Sequence, residues 1–140
     1  MNFSLHPTLE TDTHPLFVNA DCHLLLHKNA SLPWLILVPH TSETEFHALK
    51  RFEAEKALER CREISAWIQT FFNCPKVNFA SIGNLVPQMH LHMVGRKPGD
   101  VCWPKPVWGH LAESSTYTEK QLAQIRSEIA PILDSISSES

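Results

Sequence analysis

The stretch PQMHLHMVGR, residues 87–96, sets Gln88, His90 and His92 two apart, with Met89, Leu91 and Met93 between them. Such alternation of polar and apolar residues is the pattern of a strand with one buried face. Neighbours on one strand face stand roughly 7 Å apart, so the glutamine and the two histidines converge on one small volume. Three uses fit that spacing. Two histidines at i and i+2 can ligate zinc or copper, but a closed site needs further ligands. His23, His27 and His40 are available elsewhere, yet no spacing ties them to the pair. The two rings can equally sit on a half-exposed sheet face without a task. In the third use, a neutral imidazole nitrogen attacks an α-phosphate and carries the nucleotidyl group covalently, splitting one displacement into two. Donors on the same face would hold the phosphate oxygens as charge redistributes. His90, flanked by Gln88 and His92, is placed for this last use.

The elements around this stretch alternate between strand and helix patterns. CHLLLHK (22–28) and PWLILVPH (33–40) are apolar runs flanking NASL, which has turn composition, so the pair predicts a β-hairpin that Pro39 ends. Ser42 and Glu45 have capping-box spacing. Phe46, Leu49, Phe52, Leu58, Cys61, Ile64, Ile68 and Phe71 follow at helical spacings up to Pro75, predicting one long helix. KVNFASI (76–82) predicts a strand, and Gly83-Asn84 a turn into the histidine strand. Thr118 and Gln121 cap a final helix, about 118–136, with a stripe of Leu122, Ile125, Ile129, Leu133 and Ile136. Pro131 inside it predicts a kink or an end. Residues 1–15 show no sustained period. Strands, a long helix, more strands and a helix, without repeated βαβ units, predict an α+β fold: an antiparallel sheet with helices on one side.

At 140 residues the chain fits one domain, 1–140, with its core over about 16–110. Hydrophobic residues make up 43% and charged ones 19%, an ordinary globular composition, and the formal charge of −3 offers no basic excess to grip nucleic acid. The longest apolar run, WLILV, is far too short to span a membrane, and the amino terminus lacks a signal-peptide pattern. Cys22, Cys61, Cys74 and Cys102 include no C-x-x-C pair, so free thiols in a reduced cytoplasm are expected.

QMHLHMV, preceded by a strand and a Gly-Asn turn and followed by Arg96, resembles the signature of the histidine triad (HIT) superfamily, His-φ-His-φ-His-φ-φ with φ apolar. PWLILVP resembles the family strand that ends in proline before a long helix. WPKPVWG (103–109) is similar to a segment of bacterial HIT-like proteins whose motif also begins Pro-Gln. The resemblance covers about residues 20–96. It implies a HIT-like α+β domain, a homodimer, that binds nucleotides and hydrolyses or transfers a nucleotidyl group without a cofactor. His90 falls at the nucleophile position and His92 at the third triad position. The resemblance makes Asn84, ahead of the motif, a nucleotide-phosphate or backbone-holding residue, and Asn29 a ribose contact, unless Asn29 only forms the hairpin turn. Gln88 departs from the family histidine at the first position, and Trp34 stands where many members carry a further histidine. Glutamine can hydrogen-bond but cannot serve as an acid for the leaving group.

The reading that follows is a hydrolase of nucleoside polyphosphates or phosphoramidates acting through a nucleotidyl-His90 intermediate, with Gln88 and His92 as its catalytic neighbours. The alternative is a catalytically weak nucleotide-binding or regulatory domain on the same fold. Arg96 would neutralise a polyphosphate tail with its bidentate fork, or else end the strand at the surface. Trp103 and Trp108 would stack on a base, or pack the C-terminal segment over the sheet. Lys50, Arg51, Lys56, Arg60 and Arg62 interleave with glutamates and predict a solvated helix face.

Overall fold

A computed structural model describes residues 2–138, with side chains as far as Asp134. The chain runs α1 (Pro7–Asp12), β1 (Thr13–Val18), β2 (Cys22–His27), β3 (Trp34–Pro39), a single 3₁₀ turn (Phe46–Ala48), α2 (Arg51–Phe71), β4 (Lys76–Ser81), β5 (Leu91–Arg96) and α3 (Glu119–Ser138). The five strands form one antiparallel sheet in the order β1-β2-β3-β5-β4. The α+β class and the hairpin of residues 22–40 are as the sequence predicts.

Strand alternation divides the core between the two faces of the sheet. Leu24, Leu26, Leu35, Leu37, Leu91 and Met93 meet Ala57, Cys61, Ile64 and Ile68 of α2 and Leu122, Ile125, Ile129 and Leu133 of α3. On the opposite face Leu25, Trp34, Ile36, Val38 and Val94 pack with Leu9 of α1 and with Val86 and Val107 from the connecting loops. Both long helices lie on one side, as expected. The other side is covered by α1 and the loops, and the candidate site lies there.

Several elements differ from the sequence expectation. The helix does not start at Ser42. Thr41 accepts the Glu43 N–H, the 3₁₀ turn intervenes, and α2 begins after Lys50, whose N–H donates to the Glu53 carboxylate at 3.2 Å. The chain must cross from the sheet to the helix layer before a helical stripe can face inward, and within α2 Phe52 and Leu58 fall outside the buried stripe of Ala57, Cys61, Ile64 and Ile68. Arg60 is not on a solvated face: it is buried and bonds Asp21 at 3.2 Å. Asn73, at φ 54°, ends α2 in the left-handed conformation common after helix C-termini. α1 and β1 carry no periodic signal, being six residues each, with Pro7 opening the first and Pro15 inside the second.

The box of Thr118 and Gln121 does cap α3, through reciprocal bonds of 2.8 and 3.1 Å. Pro131 does not end α3; it and Ser127, whose carbonyl it leaves without the i+4 N–H, lie on the exposed side of the helix. The expected contribution of Ile136 to the stripe lies outside the described side chains. The histidine strand starts late: Ser81 pairs with Leu91, so residues 82–90 form a loop in which Gly83 takes φ +66°. Pro87 has no N–H to offer a ladder. Among the described residues no helix is long and apolar enough to cross a membrane.

β5 lies close against α2 and the β3 approach because residue 95 is glycine. A Cβ there would stand 2.7 Å from Pro33 Cγ, 2.8 Å from Ile68 Cγ2 and 3.0 Å from Cys74 Sγ. Gly95→Ala should therefore destabilise the fold by about 1–3 kcal/mol, the usual cost of overpacking, measured by urea denaturation.

Candidate functional site

The site is a cavity of about 500 Å³ on the α1 side of the sheet. Its wall comprises Thr8, Leu9 and Asp12 of α1, its rim the 82–86 loop, and its floor His27, Trp34, Ile36, His90 and His92, with Trp108 closing one side. β3 and β5 set the floor: Trp34 pairs with Val94 and Ile36 with His92, so their side chains share this face.

Hydrogen bonds fix the proton positions on all three rings. His90 Nδ1 lies 2.7 Å from the Gln88 carbonyl oxygen. A carbonyl only accepts, so Nδ1 carries the proton and Nε2 keeps its lone pair. His92 has the reverse arrangement. The Trp34 indole N–H donates to His92 Nδ1 at 3.0 Å, so the neutral ring carries its proton on Nε2. His27 Nδ1 accepts the Asn29 N–H at 3.1 Å, which also leaves an Nε2–H. The His90 and His92 rings meet edge-on with centroids 4.7 Å apart, and His27 stacks on Trp34 at 4.1 Å. One acceptor nitrogen thus stands beside two imidazole donors.

The electrostatics keep those donors neutral. Burial, then the proximity of His90 and His27, push His92 down from 6.5 to about 3. Burial also lowers His27, partly opposed by Asp12. His92 therefore donates a hydrogen bond but holds no spare proton for a leaving group near neutral pH. No Lys or Arg is among the residues lining the cavity.

The sequence-selected residues divide into two groups. His90, His92, Asn84 and Trp108 come together at the cavity. Gln88 does not join them: its Oε1 accepts the His6 N–H at 2.8 Å and its Nε2 donates to the Ser4 carbonyl at 2.9 Å. Its side chain faces the N-terminal arm because position 88 precedes the strand. Asn29 bridges the first hairpin to residues 113–115, donating to the Glu113 carbonyl at 2.8 Å. Arg96 is buried and committed to Asp100 at 2.8 and 3.1 Å and to Asn78 at 3.0 Å, beneath the Trp103 ring. Trp103 stays with that pair, away from the cavity. Burial alone would raise the Asp100 carboxyl, but the Arg96 bonds and the N–H groups of Lys97 and Cys102 hold it at about 2. Trp34, at the position where many family members carry a further histidine, joins the site, and so do His27, which no spacing ties to the pair, and Asp12, which the sequence does not single out. Nothing local to β2 ties His27 to the histidine motif, and its stacking on Trp34 depends on the hairpin register.

An antiparallel α+β sheet with paired imidazoles facing a cavity is the class of protein that this geometry defines. The HIT domain family model matches residues 8–99, so the chain belongs to the HIT family. A histidine triad protein from Marinobacter aquaeolei is 37% identical, with 96% of this chain and 98% of that one covered and a TM-score of 0.86. One from Bradyrhizobium japonicum is 31% identical over 92% and 96% of the two chains, with a TM-score of 0.84. The diadenosine triphosphate hydrolase of Plasmodium falciparum shares the fold at 15% identity and a TM-score of 0.57, over 89% and 76% of the chains. No curated protein matches the sequence.

The depressed His92 has a consequence for stability. The unfolded chain binds this proton near pH 6.5 and the folded chain only near 3, so protonation favours unfolding across that window. Stability contributed through this ring is intact above the upper value and is lost as pH falls, by at most about 1.4 kcal/mol per pH unit. Unfolding free energies between pH 7 and 4 should show this slope, and His92→Gln, which keeps an acceptor for Trp34, should make it shallower.

Proposed function

We propose that this protein is a nucleotide hydrolase or nucleotidyl transferase acting at an α-phosphate through a covalent nucleotidyl-His90 intermediate. The observation that carries this reading is the 2.7 Å bond between His90 Nδ1 and the Gln88 carbonyl, which leaves Nε2 as the nucleophilic nitrogen beside the cavity. Nε2 forms a bond to phosphorus as the bond to the leaving group breaks. The positive charge that then develops on the ring is stabilised through Nδ1–H by the carbonyl. Water attacks phosphorus in the second step, releases the nucleoside monophosphate and restores the free nitrogen. The Nε2–H groups of His92 and His27 are the donors for the phosphate oxygens, with Asn84 at the rim.

The apolar surfaces of Trp34, Trp108, Ile82 and Val86 suit a nucleobase, and the Asp12 carboxylate suits sugar hydroxyls. Gln88 and a neutral His92 supply no acid, so the leaving group must depart as an anion or take a proton from water. Nucleoside polyphosphates and reactive phosphoramidates meet that demand; a diadenosine triphosphate hydrolase on the same fold supports the former. Trp34 bonds the His92 ring and so takes part in positioning it. The free thiols fit a cytoplasmic setting.

β4 is an edge strand, and its Phe79, 49% exposed, and Leu58 of α2, 42% exposed, flank a shallow hollow that Val77 and Cys61 also line. This face suits a homodimer partner.

Two experiments test these readings. Nucleotide release from dinucleoside polyphosphates and nucleoside phosphoramidates, without added metal, should be measurable for wild type and absent for a folded His90→Ala; retained release would overturn the assignment. Binding without release would favour the nucleotide-binding alternative. Sedimentation should give a dimer for wild type and a monomer for Phe79→Glu.

A further inference from the structure

Residues 3–6 lie along the α1 side of the sheet as an extended arm leading into α1. Its first anchor is Phe3, which stacks on His40 at 4.2 Å and leans on His23 at 5.6 Å, the two imidazoles being bonded to each other at 2.7 Å. Its second anchor is the Gln88 amide. Oε1 accepts from the His6 N–H and Nε2 donates to the Ser4 carbonyl, so the amide straddles Leu5 as the N–H and C=O of a single residue in a parallel neighbouring strand would. His6 is also the N-cap of α1: its Nδ1 accepts the Thr8 N–H at 3.1 Å and its carbonyl the Glu10 N–H at 3.1 Å. One residue therefore holds both sides of the cavity. The Gln88 main chain orients the His90 ring, and the Gln88 side chain grips the cap of the helix whose Thr8, Leu9 and Asp12 form the wall.

We propose that Gln88 is a positioning residue that latches the N-terminal arm, and through it the α1 wall, to the loop carrying His90. The inference rests on the reading of the cavity as the nucleotide site. It gives the departure from a triad histidine a physical role. An amide presents one donor and one acceptor side by side, whereas the two nitrogens of an imidazole diverge around the ring and cannot grip one backbone edge in this way. The latch acts on how firmly the ligand is enclosed and not on the leaving group.

Gln88→Glu keeps the acceptor but sets a carboxylate oxygen against the Ser4 carbonyl, and Phe3→Ala releases the arm at its far end without touching the motif. Backbone hydrogen exchange at His6 should quicken in Gln88→Glu by about tenfold, because repulsion between the carboxylate and the Ser4 carbonyl drives the side chain off the arm and takes the His6 acceptor with it. Both variants should raise KM for a cleaved nucleotide several-fold while kcat changes much less, and both should weaken AMP binding measured by calorimetry. Unchanged exchange at His6 in Gln88→Glu would overturn the latch. So would a loss confined to kcat, which would place Gln88 in the chemistry. If wild type cleaves none of the substrates, the hydrolase reading fails, but exchange and AMP binding still decide the latch. Faster exchange with weaker AMP binding would support it; faster exchange with unaltered AMP binding would overturn it. Phe3→Ala guards against a Gln88 variant that does not fold.

Discussion

The site depends on β5 being pinned from the helix side. Leu91 and Met93 are buried against α2 and α3, and Gly95 lets the strand approach Ile68 and Cys74 with no room to spare. A strand clamped in that way cannot rotate or slip, because a one-residue slip would carry its apolar residues to the other face. His92 and Val94 are consequently held on the cavity face opposite Ile36 and Trp34. The indole then has a fixed target, and its bond to His92 Nδ1 becomes a property of the sheet register rather than of a mobile side chain. His90 stands one residue ahead of the ladder and needs a separate constraint, which the Gln88 carbonyl supplies.

Two imidazoles of one motif thereby receive opposite protonation patterns from two different sources. Sheet pairing sets the donor, His92, and a loop carbonyl sets the acceptor, His90. Burial reinforces the contrast by excluding the charged form of His92. The cavity is lined with neutral donors and aromatic faces in place of cations, so the proposed phosphate would meet oriented dipoles there and not positive charge.

Features governed by local spacing were legible in the sequence. The hairpin of Cys22–Pro39, the α3 capping box and the facing of Leu91, Met93 and His92 each follow from residues only a few positions apart. Local grammar misled where a tertiary demand competed with it. Ser42 and Glu45 satisfy the capping pattern, yet the chain has still to climb from the sheet before a helix can bury Ala57, Cys61 and Ile64. Gln88, Asn29 and Arg96 were sound choices by residue type and position along the chain. Their side chains are nevertheless engaged by Ser4 and His6, by Glu113 and Ser115, and by Asp100 and Asn78. Except for Asp100 and Asn78, those partners lie more than eighty positions away, beyond any periodicity. The α1 wall escaped for a related reason: a six-residue helix draws its stability from Leu9 in the second core and from its cap, not from a stripe.

The pair Arg96–Asp100 lies almost wholly out of water, the side chains being 2% and 3% exposed. Dissolved ions screen charges they can approach, and they cannot approach these. The segment that carries Trp108 to the cavity is thus moored by an electrostatic contact indifferent to ionic strength, whereas the paired charges along α2, such as Arg51 with Glu55, stand in solvent. Salt should therefore screen the ion pairs along α2 before it weakens the pair that moors the aromatic side of the cavity.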